Sequence, residues 1–220
     1  LDRNVDAFQW GAKGKQIFIK YDDQGQGILA TLDLKGELET LSNTVGGTGL
    51  GRPYGGGNFD VSRNNQVAYT HVETQRPADL HVLNKGKSRQ LTQLNEDLLA
   101  HKELAKVEAM RFPSQHDGRE VQAWLAYPPD YEEGKQYPLI LEIHGGPFAN
   151  YGPRFSSEVQ LYATAGYLVL YVNPRGSTSY GSEFANLIHH NYPGEDYDDL
   201  ISAVDQVIER GLTSEEQLYV

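Results

Sequence analysis

Hydrophobic and polar positions divide the chain into two parts with different periodicities. Residues 1–103 hold short apolar runs bounded by Gly, Asn and Asp, with little of the 3.6-residue periodicity of a helix. The pattern predicts strands over residues 16–21, 28–32, 66–70 and 79–83. We therefore expect the first part to be all-β.

A repeat runs through this first part. Gly36 and Gly86 are fifty residues apart, and the apolar run 17–19 recurs at the same offset at 67–69. A period of about 40 to 50 residues with four strands per unit is typical of β-propeller blades. Since a propeller needs about four blades or more, we expect the remaining blades to lie upstream of Leu1.

After a changeover at residues 103–117, the order becomes three strands, a helix, a strand, a helix and a strand. The predicted strands are 107–114, 121–127, 139–143, 168–172 and 217–220, and the predicted helices are 157–165 and 198–210. Ser157 and Gln160 have capping-box spacing, and Gly166 and Gly211 are placed to end the two helices. Strands that are apolar on both sides indicate a mostly parallel sheet covered by helices, which is an α/β arrangement.

Composition excludes several classes of protein. The net charge of −11, with scattered Lys and Arg, disfavours binding to nucleic acid or to an anionic membrane. No apolar run approaches the roughly 18 to 20 residues of a membrane-spanning helix. The absence of cysteine excludes a disulfide framework and a cysteine nucleophile, and it leaves a cytoplasmic or a periplasmic or secreted location open.

The predicted strand 139–143 leads directly into His144, Gly145, Gly146 and Pro147. A turn of this kind after a buried strand can supply a backbone N–H to a developing alkoxide, and glycine allows the close approach that this requires. By itself, Gly-Gly-Pro is also typical of an ordinary tight turn.

Two further motifs follow on the next elements. The sequence Asn173-Pro174-Arg175-Gly176-Ser177 comes after the second buried strand, with Tyr180-Gly181 close behind, and Gly194-Glu195-Asp196-Tyr197 opens the last helix. Together the three motifs resemble the prolyl oligopeptidase family of serine peptidases, and within it the acylaminoacyl-peptidase branch. Other branches usually carry a tyrosine oxyanion donor where His144 stands here.

The resemblance implies a domain organisation. Residues 1–103 would be the C-terminal blades of a β-propeller, and residues 104–220 the N-terminal half of an α/β-hydrolase catalytic domain. In this family the nucleophilic serine follows the strand that begins at residues 217–220, and the aspartate and histidine come later. We therefore expect the oxyanion-hole turn, but no member of the catalytic triad, within these 220 residues.

The implied function is hydrolysis of short oligopeptides through an acyl-enzyme, with no metal or organic cofactor. The backbone N–H of Gly146 would bind the oxyanion, and Gly145 would shape the turn. By itself the chain would be inactive. The expected partner is a peptide substrate. Association with a second copy of the chain, or with the remaining part of the same protein, is left open. A carboxylesterase of the same fold and a non-catalytic binding scaffold also remain open.

Other polar residues in these motifs are expected to support the site. His144 and Pro147 would fix the turn, His144 through a hydrogen bond to backbone. Arg175 would tie neighbouring carbonyls or an acid such as Asp196. Ser177, Ser179 and Ser182 lack the first glycine of a nucleophile turn, so we do not expect them to be nucleophiles.

Three other features have simpler explanations than the chemistry they suggest. His189-His190 lacks the third ligand of a zinc site. The glycine-rich segment 46–51 lacks the lysine–hydroxyl pair of a phosphate loop and is expected to be a flexible loop between blades. Trp10, Tyr54 and Phe59 could line a propeller channel or pack within blades. Finally, an exposed strand at 217–220 would favour aggregation of the isolated chain.

Overall fold

The computed structural model describes all 220 residues and contains three β-sheets. The first two are four-stranded antiparallel meanders with their strands in chain order. The first comprises β1 (Val5–Trp10), β2 (Gln16–Asp23), β3 (Gln26–Asp33) and β4 (Leu38–Ser42), and the second β5 (Phe59–Val61), β6 (Val67–Glu73), β7 (Arg76–Asn84) and β8 (Lys87–Gln90). The four strands predicted in this region are present as β2, β3, β6 and β7.

The fifty-residue repeat corresponds to repeated geometry. Gly36 and Gly86 occupy the turns before β4 and β8, with φ of +89° and +75°. This left-handed backbone region costs glycine little and other residues more, which explains why glycine recurs at this offset. The two meanders are therefore structural repeats as well as sequence repeats.

The two meanders pack against each other through one face of each. Phe18 and Leu29 of the first meet Val67, Tyr69 and Leu83 of the second. On the opposite face of the first meander, the apolar side chains are Ile19, Tyr21, Ile28 and Ala30, beside Phe8 and Trp10 on β1. Phe8 is 65% exposed and Trp10 is 58% exposed, so this face is apolar and partly uncovered.

The third sheet is mixed. Its order is β13-β11-β12-β10-β9, formed from β9 (Lys106–Pro113), β10 (Glu120–Tyr127), β11 (Leu139–Glu142), β12 (Leu168–Asn173) and β13 (Leu218–Tyr219). Only the pairs β11–β12 and β11–β13 are parallel, and β10 is antiparallel to both neighbours. The expectation of a mostly parallel sheet is therefore wrong for these residues, because the short β9–β10 connection forces a hairpin.

Helices cover both faces of the third sheet, as predicted. The α-helices are α1 (Glu96–Leu99), α2 (Ser157–Thr164), α3 (Ser182–Asn186) and α4 (Asp196–Glu209), with short 3-10 turns at Ala12–Gly14 and Glu215–Gln217. Helix α4 packs Leu200, Val204 and Val207 onto one face, and α2 packs Val159 and Ala163 onto the other. None of these helices combines the length and the apolar character needed to cross a bilayer.

The predicted capping box at the start of α2 is wrong. The N-cap is Ser156, whose Oγ accepts a hydrogen bond from the Val159 N–H at 3.1 Å. The Gln160 side chain instead accepts from the Ala105 N–H at 2.8 Å, so it is used for tertiary packing. Gly166, with φ of +93°, follows the end of the helix as predicted.

The last strand is shorter and more exposed than the others. Only Leu218 and Tyr219 pair, in parallel register with Leu139 and Ile140 of β11. Leu218 is 38% exposed and Tyr219 is 54% exposed, so β13 is an open edge of the sheet, as the sequence indicated. That this edge promotes aggregation remains a prediction.

We predict that Leu170→Ala lowers the free energy of unfolding by about 3 kcal/mol, since it leaves a cavity in the fully buried centre of β12. Leu161→Ala is the matched control, because Leu161 lies on the exposed side of α2. Its effect should stay within about 0.5 kcal/mol. Urea unfolding of the two variants checks this, and equal losses would contradict the assigned core.

Candidate active site

The turn after β11 contains the two glycines that the sequence singled out. Gly146 has φ of +134°, and a Cβ at this position would lie 3.2 Å from the Ala149 Cβ. The Ala149 N–H donates to the Pro147 carbonyl at 2.8 Å and closes the turn. No hydrogen bond within the chain uses the Gly146 N–H, and Gly146 is exposed. An unpaired backbone donor is therefore available to a ligand.

Gly145 differs from Gly146. Its φ is not in the left-handed region, and nothing lies within 4 Å of a Cβ built on it. The backbone conformation thus requires glycine at Gly146 and merely permits it at Gly145.

His144 is buried and links the turn after β11 to the turn after β12. Its Nε2 lies 3.0 Å from Ser177 Oγ, and the Ser177 hydroxyl donates to the Pro174 carbonyl at 2.7 Å. A neutral imidazole carries one N–H, so His144 donates either to Ser177 Oγ or to the Gly145 carbonyl, which lies 3.3 Å from Nδ1. The contact with Gly145 is the hydrogen bond to backbone that the sequence led us to expect, and the contact with the Ser177 side chain is additional.

Burial lowers the pKa of His144, so the imidazole is neutral near pH 7. A buried, neutral imidazole whose two nitrogens face Ser177 Oγ and the Gly145 carbonyl has no N–H free for an oxyanion. The site consequently depends on backbone donors at this turn.

The His144–Ser177 pair resembles the start of a catalytic dyad but cannot act as one here. Ser177 is 1% exposed, so a substrate cannot reach its hydroxyl. No carboxylate orients His144, whose Nδ1 faces a carbonyl. Ser179 is also buried, and its Oγ accepts from the Gly25 N–H. The exclusion of these two serines as nucleophiles agrees with their burial.

Asn173 was quoted within a motif, but the sequence did not suggest its role. At the end of β12, its Oδ1 accepts from the Tyr151 N–H at 2.8 Å and its Nδ2 donates to the Tyr151 carbonyl at 2.9 Å. Nδ2 also reaches the Tyr180 hydroxyl at 2.8 Å. Asn173 is completely buried, and it fixes the backbone shortly after the Gly-Gly-Pro turn. A polar residue that ends an apolar strand was the available signal.

Arg175 is paired with an acid, but the acid is Asp199 rather than Asp196. Its Nε and Nη2 donate to the two carboxylate oxygens of Asp199 at 3.0 and 2.8 Å, and Nη2 also lies 3.1 Å from Asp117 Oδ1. Asp196 instead accepts from the Gly194 N–H at the start of α4. Helix α4 begins at Asp196, two residues earlier than predicted, and Asp199 in its first turn is the acid that faces Arg175.

The hydrogen bond to Asp199 raises the pKa of Arg175, which stays protonated. Arg175 is 4% exposed, so this guanidinium is not available to a substrate carboxylate. It ties the turn after β12 to the start of α4.

The glycine-rich segment is not a free loop, contrary to expectation. Residues 46–58, here termed the docking loop, contact the start of α2. The carbonyls of Leu50 and Gly51 accept from the Ser157 and Glu158 N–H groups at 2.7 and 3.2 Å. The first N–H groups of a helix lack partners within the helix, and the docking loop supplies them.

Of the three aromatic residues considered earlier, only Tyr54 reaches the site. Its ring centroid lies 4.8 Å from that of Tyr151 and 6.4 Å from that of His144. Phe59 packs at the edge of the core between the meanders, and Trp10 is exposed on β1. Tyr54 thus connects the first part of the chain to the turn region.

A cleft of about 460 Å³ lies beside the turn, between the first part of the chain and the third sheet. Its lining includes Asp6, Lys20, Asp22, Tyr54, Phe148 and Asn150. Lys20 is 3% exposed and pairs with Asp6 at 2.5 Å, so the charges in the cleft are largely compensated. The cleft reaches the turn after β11 at Phe148 and Ala149.

The chain is similar to proteins of one peptidase family. Residues 153–220 match the family model of the prolyl oligopeptidase family. Together with the relatives described next, the match confirms the resemblance drawn from the motifs: the chain belongs to the prolyl oligopeptidase family.

Among its relatives is the uncharacterized peptidase YuxL of Bacillus subtilis, 39% identical over 69% of this chain. Dipeptidyl-peptidase 5 of Aspergillus fumigatus is 29% identical over 94% of the chain. The crystal structure of Pyrococcus horikoshii acylaminoacyl peptidase superposes on 99% of the chain with a TM-score of 0.83 and 27% identity. The chain spans only 23%, 29% and 33% of these three proteins, respectively.

We predict a pH dependence of stability that originates at His144. The unfolded chain binds a proton near pH 6.5, whereas the buried imidazole rejects it. The stabilising contribution is therefore complete above about pH 6.5 and is lost as the pH falls towards the lowered folded-state pKa. In urea titrations from about pH 8 to pH 5, the free energy of unfolding should fall less for His144→Gln than for the wild type.

His101→Gln is the control, because His101 is exposed and lies between α1 and β9. This variant should keep the wild-type dependence. Parallel curves for His144→Gln and the wild type would show that His144 is not the source.

Proposed function

We propose that the protein to which this chain contributes is a serine peptidase that cleaves short oligopeptides through an acyl-enzyme. The observation that carries this proposal is the free, exposed Gly146 N–H on a turn that requires glycine, after the end of β11. The names of similar proteins, dipeptidyl-peptidase 5 and acylaminoacyl peptidase, favour a peptide substrate.

The parallel pairing of β13 with β11 supports the position of the nucleophile. Parallel strands end at the same edge of a sheet, so a turn directly after β13 would lie beside the turn that holds Gly145 and Gly146. A serine on such a turn would have Gly146 as a neighbour without any further rearrangement. In this proposal the serine, aspartate and histidine come from residues outside this chain, and the 220 residues alone are inactive.

The proposed reaction proceeds in two stages. The serine, activated by histidine, attacks the scissile carbonyl, and negative charge develops on the carbonyl oxygen. This oxygen accepts a hydrogen bond from the Gly146 N–H. The amine then leaves, and water hydrolyses the acyl-enzyme by the same route. His144, Pro147 and Arg175 act by holding the turns, not by touching the substrate.

We also propose that residues 1–103 are blades of a β-propeller and residues 104–220 the first half of an α/β-hydrolase domain. Two successive four-stranded meanders at a fifty-residue offset support the blades. The apolar face that carries Phe8 and Trp10 has the character of a surface that an adjacent blade would cover.

A carboxylesterase of the same fold is the second candidate. An oxyanion donor stabilises the tetrahedral intermediate of ester and amide hydrolysis alike, so Gly146 supports both. The similar proteins with a named substrate class favour the peptidase. A binding scaffold without catalysis would lack a reactive serine.

The test uses the full-length protein that contains this chain. We predict that a fluorophosphonate labels one serine, outside residues 1–220, and that peptide anilides are hydrolysed with a higher kcat/KM than p-nitrophenyl esters. Residues 1–220 expressed alone should not be labelled. Hydrolysis of esters only would establish the esterase, and an unlabelled, inactive full-length protein would establish the scaffold.

We further predict that Gly146→Ala lowers kcat by about 10² to 10³, because the added Cβ displaces the oxyanion donor. KM should change much less, since the donor acts mainly in the transition state. Gly134→Ala is the matched control: Gly134 also has a positive φ, +84°, but lies in a remote loop with nothing within 4 Å of its Cβ. Equal kcat values for the two variants would exclude Gly146 as the donor.

A further inference from the structure

Glu142 is a buried acidic residue at the end of the strand that leads into the candidate oxyanion turn. It is the last residue of β11, two positions before His144, and it is 9% exposed. One of its oxygens, Oε1, accepts from the Tyr151 hydroxyl at 3.0 Å and lies 3.2 Å from Arg52 Nε. A buried carboxylate requires such partners, and Arg52 is the one that carries a positive charge.

Arg52 reaches Glu142 from the other part of the chain. It belongs to the docking loop, and its Nε also lies 3.1 Å from Glu158 Oε2 on α2. One guanidinium therefore bridges carboxylates on two elements, β11 and α2. The hydrogen bond to Glu158, followed by the charge of Glu142, raises the pKa of Arg52, so the positive charge is permanent.

The backbone on both sides of Arg52 is fixed independently of its side chain. Before it, the Gly51 carbonyl accepts from the Ser156 hydroxyl at 2.6 Å. After it, the Pro53 carbonyl accepts from the Gly152 N–H at 3.0 Å, and Tyr54 forms an antiparallel bridge with Tyr151. The backbone contacts on both sides of Arg52 therefore place its guanidinium beside Glu142.

The proposed reaction develops negative charge at the Gly146 N–H, four residues after Glu142. Like charges that lie near each other repel, so a Glu142 carboxylate without its partner would raise the energy of the oxyanion. We infer that Arg52 is a positioning residue of the candidate site: it holds Glu142 at the end of β11, before the Gly145–Gly146 turn, and cancels the charge of that carboxylate. This inference rests on the proposed function.

The test uses kinetics of the full-length protein. In Arg52→Gln, kcat should fall about tenfold, the effect of leaving one partly buried charge without its partner. KM should change less than about twofold, because the opposing charge acts on the oxyanion and not on bound substrate. The matched control is Arg63→Gln, an exposed arginine of the same part of the chain, which should keep the wild-type values.

Rescue separates charge compensation from simple attachment of the docking loop. Adding Glu142→Gln to Arg52→Gln removes the uncompensated carboxylate, so kcat should recover to within about threefold of the wild type. Arg52→Lys, which keeps the charge but not the shape of the guanidinium, should lie between the two. An unchanged kcat in Arg52→Gln, or no recovery in the double variant, would overturn the inference.

Hydrogen exchange decides the inference even where the proposed function fails. If the full-length protein neither reacts with fluorophosphonate nor hydrolyses any substrate, the proposed function is excluded. Backbone amides of residues 143–146 should still exchange faster in Arg52→Gln than in Arg63→Gln, because Glu142 is released. Identical exchange in the two variants would exclude the positioning role.

Discussion

Hydrogen bonds between the ends of β11 and β12 are the constraint on which the candidate site depends. His144 contacts Ser177 across this gap, and Asn173 holds both backbone groups of Tyr151. All four residues are buried. Buried polar groups of this kind are stabilising only when every partner is in place, so the two turns adopt one relative position. The Gly146 N–H owes its fixed direction to that arrangement.

Buried polar contacts also fix the turn after β12. Arg175 joins the end of β12 to Asp199 on α4 and to Asp117 before β10. Removing one partner of such a buried pair leaves a charge without compensation, which is far more costly than losing a surface ion pair. Two arginines thus pair with acids next to the site. Arg175 pairs with Asp199 after β12, and Arg52 of the docking loop pairs with Glu142 at the end of β11.

Sequence patterns predicted every strand that is buried on both sides, and the strands they missed are exposed ones. Residues 139–143 and 168–172 were predicted as strands because long apolar runs admit few alternatives, and β11 and β12 confirm them. Strands β1, β4, β5 and β8 were not predicted, because they are short, largely exposed edge strands stabilised by pairing with a neighbour. The family and the glycine turn followed from local motifs, which a sequence displays directly.

Contacts between distant residues could not be derived in this way. Asp199 replaced Asp196 as the partner of Arg175: Asp196 accepts from the Gly194 N–H at the start of α4, whereas Asp199, three residues later, faces Arg175. The glycines of the docking loop suggested flexibility, yet the atoms that bind there are backbone carbonyls, which every residue possesses. Nothing in the side-chain pattern distinguishes a carbonyl that caps a helix from one that faces water.

The bonds between the docking loop and α2 also bear on the order of synthesis. Leu50 precedes Ser157 by 107 residues, so a ribosome completes the hydrogen-bond acceptors well before it makes the helix that needs them. Domains tend to fold as they emerge, with the earlier part first. The start of α2 can therefore form against a surface that already exists. If residues of the third sheet were translated without the docking loop, two N–H groups at the start of α2 would be exposed to water.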